Sequence, residues 1–309
     1  LNLATTLVRH QNIYTLTGGT PVHLVNTFTT YGNYENRARA RTRYLQDTLG
    51  EEGLVKAYQE KLEEVSATEQ LDVDIAVPVL SKTGPEAAVE DKRIIPQKQK
   101  GLYAVFYQPL GGSLTPAKAE ELYHLIEDME DVEIRLTPDE GLYVINCSAG
   151  EAERVLQRTA DGANTLFETS TACIGNSVCQ VGLRDSQALL RDCVEAVRKE
   201  NFADGVLPKI HISGCPSSCG THQTAGIGLR GAVKQTPDGP KPAFAFFVGG
   251  CHRRGEEVLA DTGKSIAIED IPRFFVELAR MVSSENMVYA DWIASNQERL
   301  DQLIQKYTA

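Results

Sequence analysis

Two pairs of cysteines constrain this chain more than any other feature. Cys173 and Cys179 have five residues between them in TACIGNSVCQVG, and Cys215 and Cys219 have three in ISGCPSSCGTHQ. Thirty-five residues separate the pairs, including a helix-periodic stretch, DSQALLRDCVEAVRKE, and a strand-like one, KIHIS. If the pairs work together, helix and strand must return the chain so that two loops meet. Both loops are rich in small and turn-forming residues: Gly175 and Asn176 in the first, Gly214, Pro216 and Gly220 in the second. Such residues let backbone approach a bulky inorganic group and leave N–H groups free to bond its sulfurs. Four thiolates held this way suit a [4Fe–4S] cluster. A four-cysteine zinc scaffold is the competitor, but zinc pairs are usually about two to four residues apart, so the gap of five fits poorly. A redox dithiol prefers a gap of roughly two.

Bulk properties narrow the setting. A chain of 309 residues that is 42% hydrophobic can bury a large core, enough for two or more domains. The net charge of −11, with no long basic run, argues against nucleic acid or anionic lipid as a partner of the whole surface. No apolar run approaches about 18 residues, so no membrane span is expected. The opening lacks a signal-peptide pattern. Seven cysteines are too few for a disulfide scaffold and odd in number, which points to a reducing cytoplasm where some thiols hold metal. The chain starts at Leu1 rather than Met, so it reads as a fragment or a processed form.

Along the chain, IYTLTG and PVHLVNTF read as short β-type runs. YENRARARTRYLQDTLGEEGLVKAYQEKLEEV reads as one or two helices broken at Gly50 and Gly53. Its Arg37, Arg39, Arg41 and Arg43 either face an anion or, more simply, form a salt-bridged surface. Residues 66–100 hold Pro78, Pro85 and Pro96 without helical period, which suggests a linker or extended crossing segment. From 101 the pattern is regular. LYAVFYQP is a strand, and Thr115 with Pro116 opens a helix. VEIRLTP and GLYVINC form a hairpin around Pro138–Gly141, and EAERVLQR is a second helix. After 165 come the cysteine loops, strands at KIHIS, GIGLRGAVK and AFAFFVGG, and helices at IPRFFVELARMV and DWIASNQERLDQLIQKY. A strand followed by two helices recurs weakly near 22–65 and 243–307. Cys193, on an apolar helix stripe, and Cys147, ending an apolar strand, read as core. Cys251, beside His252, Arg253 and Arg254, reads as a surface loop that could alternatively meet an anion.

The two cysteine pairs, with GCPSSCG inside IHISGCPSSCGTHQTAGIGLRG, resemble the C-terminal half of the sirohaem-dependent nitrite and sulfite reductases. ACIGNSVC is closer to the ferredoxin–nitrite reductase branch. IIPQKQKGLYAVFYQPLGGSLT and IRLTPDEGLYVI resemble the start of that family's second ferredoxin-like half. The resemblance implies an α+β chain: 1–65 the end of a preceding first-half module, 66–100 a linker, 101–160 a ferredoxin-like half-domain, and 161–309 an α/β domain binding [4Fe–4S] and sirohaem. It implies that Cys173, Cys179, Cys215 and Cys219 hold the cluster, that Cys219 bridges to the sirohaem iron, and that Gly214, Ser217 and Gly220 line the loop near sirohaem. Ser217 departs from the Asn common at that position, but its hydroxyl keeps a donor. The implied reaction is six-electron reduction of nitrite to ammonia or sulfite to sulfide, with a ferredoxin-like donor. In this family the cations over the anionic substrate come mostly from the first half, so a chain lacking most of that half is expected to be inactive alone. Arg135 in IRLT belongs to the copy that does not bind substrate. A non-catalytic [4Fe–4S] electron-transfer module is the alternative function.

Overall fold

The computed structural model describes residues 20–36, 39–69, 80–85, 87–253 and 255–308. The chain divides into two compact units, Leu1–Val79 and Leu80–Ala309.

In the first unit, α1 (Thr20–Tyr31) packs with α2 (Leu45–Ser66). PVHLVNTF is therefore helical, not β. Thr27 is buried, and Phe28 and Tyr31 pack against Leu45, Leu54 and Tyr58. Only a helix puts positions i, i+1 and i+4 on one broad face. The recurrence of a strand before two helices accordingly fails in its first copy, and only the helix pair recurs. IYTLTG and Arg37 lie outside the described residues. The arginine-rich stretch precedes α2 rather than forming part of it, since Arg41 is extended (φ −142°, ψ 147°). Arg39 pairs with Asp47 at 3.0 Å with both side chains exposed, a solvated surface pair. Gly50 does interrupt α2 (φ 72°, ψ 174°), whereas Gly53 continues it.

The second unit carries two sheets. The first has β1 (Ile94–Pro96), β2 (Tyr103–Tyr107), β3 (Glu133–Leu136) and β4 (Leu142–Cys147) in the antiparallel order β1-β2-β4-β3. α3 (Pro116–Ile126) and α4 (Ala149–Arg158) belong to the same layer pair. Thr115 caps α3 by accepting from Lys118 N, and Ser148 with Glu151 forms a capping box on α4. Val105, Tyr107, Leu122, Val144, Cys147 and Val155 make the core between them. β1 is a three-residue edge strand ending in Pro96. So short a run carries no period, which is why it reads from sequence only as extended chain.

The second sheet runs β5 (Thr171–Ala172), β6 (Ile210–Ser213), β7 (Ile227–Thr236), β8 (Gly239–Val248) and β9 (Asp261–Ala267) in sequence order. β5, β6 and β7 are parallel, while β8 and β9 are antiparallel to their neighbours. β9 is not evident in the sequence because DTGKSIA has no apolar alternation until its end. α5 (Ser186–Arg198), α6 (Ile271–Ser283) and α7 (Tyr289–Thr308) supply the helical layer. Ile210, Ile212, Leu229, Phe244 and Phe246 meet Leu190, Val194, Phe274, Phe275 and Trp292 in one core, and Cys193 is buried in it. The two sheets are tied by amides: Gln108 donates to Thr169 O at 2.9 Å, and Gln187 to Gly111 O and Ala172 O at 2.8 Å each. Glu168, buried, receives both Arg198 Nε and Nη2 at 2.9 Å.

Candidate cluster site

The parallel pairing of β5 and β6 makes the site. Two parallel strands end at the same sheet edge, so the loops that follow them emerge side by side, as ligand loops do in open α/β sheets. Cys173 follows β5 directly, and Cys215 lies two residues beyond β6. Cys173 N–H donates to Ile212 O at 3.0 Å, extending the pairing by one residue. Gly214 N–H then donates to Cys173 Sγ at 3.1 Å. The N–H groups of Leu183 and Arg184 both donate to Gly214 O, at 3.1 and 3.0 Å, so the return of the first loop is clamped on the second.

Each loop needs its turn residues. Gly175 has φ 72°, and a Cβ there would lie 2.9 Å from both Asp185 Oδ1 and Ser186 N. Asp185 caps α5 by accepting from Ala188 N at 2.9 Å, and Ser186 Oγ lies 3.1 Å from Cys173 Sγ. In the second loop Ser218 (φ 61°) and Thr221 (φ 53°) are left-handed. A Cβ on Gly214 would lie 2.5 Å from Arg184 O, and one on Gly220 would lie 2.2 Å from Ile212 O. Both glycines thus serve close backbone approach.

Cys173, Cys179, Cys215 and Cys219 line one small cavity together with Gly214 and Ser217. The four thiols that sequence singled out are therefore brought together, and all are free. Cys215 is buried, Cys173 and Cys179 are half-buried, and Cys219 is exposed. Among the described residues no three His, Cys, Asp or Glu side chains converge closely enough to hold one metal ion. Zinc would need all four sulfurs about 2.3 Å from a single point. A cluster spreads its ligands over several irons, so thiols around a cavity fit it better than they fit zinc.

Sequence reading missed a set of polar groups beside these loops. The buried side-chain nitrogens or oxygens without a hydrogen-bond partner, among the described residues, are Arg184 Nε, His222 Nε2 and Arg230 Nε. Arg184 clamps Gly214 O through its backbone, and Arg230 is the register partner of Ser213. His222, fully buried, contacts Ser213 Oγ through Nδ1 at 2.9 Å. Burial, reinforced by the Arg230 charge, lowers the His222 pKa to about 4. His211, on the same face of β6 as Ser213, is likewise lowered to about 4 by burial and by Lys209 and His252. The available signal was an arginine inside the apolar run IGLRGAV. Orphaned donors and a thiol-lined cavity at one sheet edge fit a cluster with an anionic neighbour such as a polycarboxylate macrocycle.

Cys251 is not among the residues that line the four-cysteine cavity. It pairs with Val258 through backbone bonds of 2.9 and 3.0 Å, and Arg253 engages Glu256 at 2.7 Å, as in a surface loop. Arg254 lies outside the described residues. Arg135 is exposed and pairs with Glu133.

Residues 95–161 match the nitrite/sulfite reductase ferredoxin-like half domain, and residues 165–308 match the nitrite and sulphite reductase 4Fe-4S domain. The chain belongs to the nitrite and sulfite reductase family. It is 29% identical over 276 residues to the chloroplastic ferredoxin–nitrite reductase of Zea mays, covering 82% of this chain and 45% of the relative. It is 30% identical over 247 residues to the assimilatory ferredoxin-dependent nitrite reductase of Haloferax mediterranei, covering 73% and 40%. The ferredoxin sulfite reductase 1 of Mycolicibacterium paratuberculosis is 23% identical over 233 residues, covering 72% and 40%. The solved structure of Mycobacterium tuberculosis NirA superposes with a TM-score of 0.62 at 20% identity, over 92% of this chain and 53% of that one, a likeness of fold. The chain thus spans about half the length, or less, of these relatives.

Proposed function

We propose that this chain is the cluster-bearing half of an assimilatory-type nitrite or sulfite reductase. The observation that carries the reading is the meeting of all four cysteines at one cavity on the parallel edge of the second sheet. In this reading Cys173, Cys179, Cys215 and Cys219 hold the [4Fe–4S] cluster. Cys219, the exposed member of the set, offers its sulfur to the sirohaem iron. Bound there, the two groups would supply single-electron delivery and the six-electron reduction of the anion.

The chain's own part is ligation and orientation. Gly214 N–H donates to Cys173 Sγ, which ties the sulfur to the backbone of the second loop. Ser213 Oγ receives Gly220 N–H at 3.1 Å and so fixes the turn that carries Cys219. Ser217 lines the cavity between the last two cysteines and keeps a hydroxyl donor there. The electron donor proposed is a ferredoxin, and the setting a reducing cytoplasm in which the thiols stay free. Among the described residues no helix is long and apolar enough to cross a membrane.

Anaerobic reconstitution with iron, sulfide and sirohaem tests the reading. Uptake of both groups, with a sirohaem visible band perturbed by cluster reduction, is the expected result. Cluster absorption with no sirohaem uptake would instead support the electron-transfer alternative. Turnover of nitrite or sulfite by this chain alone is expected to be negligible, and robust ammonia or sulfide production would contradict the half-enzyme reading.

A further inference from the structure

We propose that Ser186 sets the redox behaviour of the site: its buried hydroxyl turns from the Cys173 carbonyl to the Cys173 sulfur once that sulfur is bound to iron, and holds the reduction potential of the cluster up. This rests on the cluster reading of the four cysteines and adds a residue that lies in neither cysteine pair.

Cys173 differs from the other three thiols of the set. Among the described residues it alone of the four has hydrogen-bonding groups at its sulfur: Gly214 N–H donates to Sγ at 3.1 Å, and Ser186 Oγ lies 3.1 Å from it. Ser186 is fully buried at the first position of α5. Its neighbours on both sides are held. Asp185 caps the helix through Ala188 N at 2.9 Å, and Gln187 Nε2 donates to Ala172 O and Gly111 O at 2.8 Å each. The first cysteine loop closes over it as well, since a Cβ on Gly175 would lie 2.9 Å from Ser186 N and 3.1 Å from its Oγ. The heavy atoms are fixed, and the hydroxyl hydrogen is what can rotate.

That hydrogen has two acceptors in reach. With the thiol free, Ser186 Oγ donates to Cys173 O at 2.6 Å, and the Cys173 S–H can donate to Ser186 Oγ in return. A cysteine bound to iron has no S–H. Oγ and Sγ would then meet lone pair to lone pair unless the hydroxyl turns to the sulfur. A hydrogen bond to a charged acceptor is roughly twice as strong as one to a neutral carbonyl, so the sulfur takes the donor. The proton stays on Ser186 throughout. Reduction adds one electron to the cluster and raises the negative charge on its sulfurs. A donor at Cys173 Sγ therefore stabilises the reduced form more than the oxidised one, which raises the potential.

The test uses the full chain reconstituted anaerobically with iron and sulfide. It is poised with dithionite and redox mediators while the paramagnetic signal of the reduced cluster is followed. Ser186→Ala should keep the wild-type iron content and shift the reduction equilibrium by roughly tenfold toward the oxidised form, a fall of about 59 mV for one electron. Ser186→Thr, which keeps a hydroxyl, should stay near the wild-type potential. After exchange into deuterated buffer, the wild-type signal should carry an exchangeable-proton coupling that Ser186→Ala lacks. An unchanged potential in an iron-replete Ser186→Ala overturns the role of Ser186 and leaves the cluster reading standing. Should Ser186→Ala lose its iron, Ser186→Thr is compared with Ser186→Val, which shares its shape but has no donor, and equal potentials overturn the role. A loaded wild type with no exchangeable proton coupled to its cluster overturns it whatever the variants do. A wild type that takes up no cluster removes the cluster reading and the role of Ser186 together.

Discussion

Successive residues of β6 point to opposite faces of the sheet and obey opposite rules. Ile210 and Ile212 point into the helical layer, are fully buried, and belong to its apolar core. His211 and Ser213 point the other way, toward the cysteine loops, and are also buried. On that side burial has been applied to the imidazoles of His211 and His222 and to the Ser213 hydroxyl, and His222 Nε2 has no partner. The first face is organised for stability. The second violates polar satisfaction where the cysteines meet, and such violations mark functional sites. One four-residue strand therefore holds the division between scaffold and site.

The largest effect should come from the ligand side. Cys173→Ser or Cys215→Ser should abolish cluster retention, with iron falling to near zero after reconstitution and desalting. Full iron content in either variant would remove the ligand assignment. On the helical side Phe246→Ala should cost about 3–5 kcal/mol in urea unfolding while the folded fraction keeps its iron. Iron loss in proportion greater than unfolding would break the division between the two faces.

Glycines sharpen the comparison at intermediate size. Gly220→Ala drives a methyl to within 2.2 Å of Ile212 O, so the second loop must shift. A loss of about 1–3 kcal/mol is expected, together with weaker cluster retention. Gly226→Ala meets nothing within 4 Å and should stay within about 0.5 kcal/mol of wild type. Equal effects at the two positions would show that loop clearance is not what Gly220 provides.

The smallest effects are in acid, and the two faces should separate by pH. His211 and His222 have folded pKa values of about 4, below the ordinary 6.5. The unfolded chain takes up protons there first, so stability from these neutral rings is complete above about pH 6.5 and is lost as pH falls toward 4. Glu168 is different. Burial pushes its pKa up, but Arg198 and the Asn164 N–H outweigh it, leaving the pKa lowered from 4.5. Its contribution is present above about pH 4.5 and is lost below that. Melting temperature against pH should thus fall first between 6.5 and 4, and His222→Gln should flatten part of that segment. An unchanged profile in the variant would show that His222 is not held neutral.

The legible parts of the fold were those with a strong period or a punctuating residue. The hairpin at Pro138–Gly141, the cap at Thr115, and the helices 186–198, 271–283 and 289–308 could all be read this way. α1 was misread because Val and Thr favour strands, while its helical face depends on Thr27, Phe28 and Tyr31 packing on α2. β1 and β9 were missed because edge strands carry little alternation. The four cysteines were legible from spacing and neighbours alone. The orphaned nitrogens of Arg184, Arg230 and His222 were not, since a missing partner is a property of three-dimensional neighbours that no local pattern records.

The central claim is that four thiols from two loops hold one [4Fe–4S] cluster, and metal content tests it most directly. The chain purified and reconstituted anaerobically should contain about four irons and four acid-labile sulfides, and its reduced form should give the paramagnetic signal of a cluster. About one zinc per chain, with no labile sulfide and no iron uptake, would contradict the account.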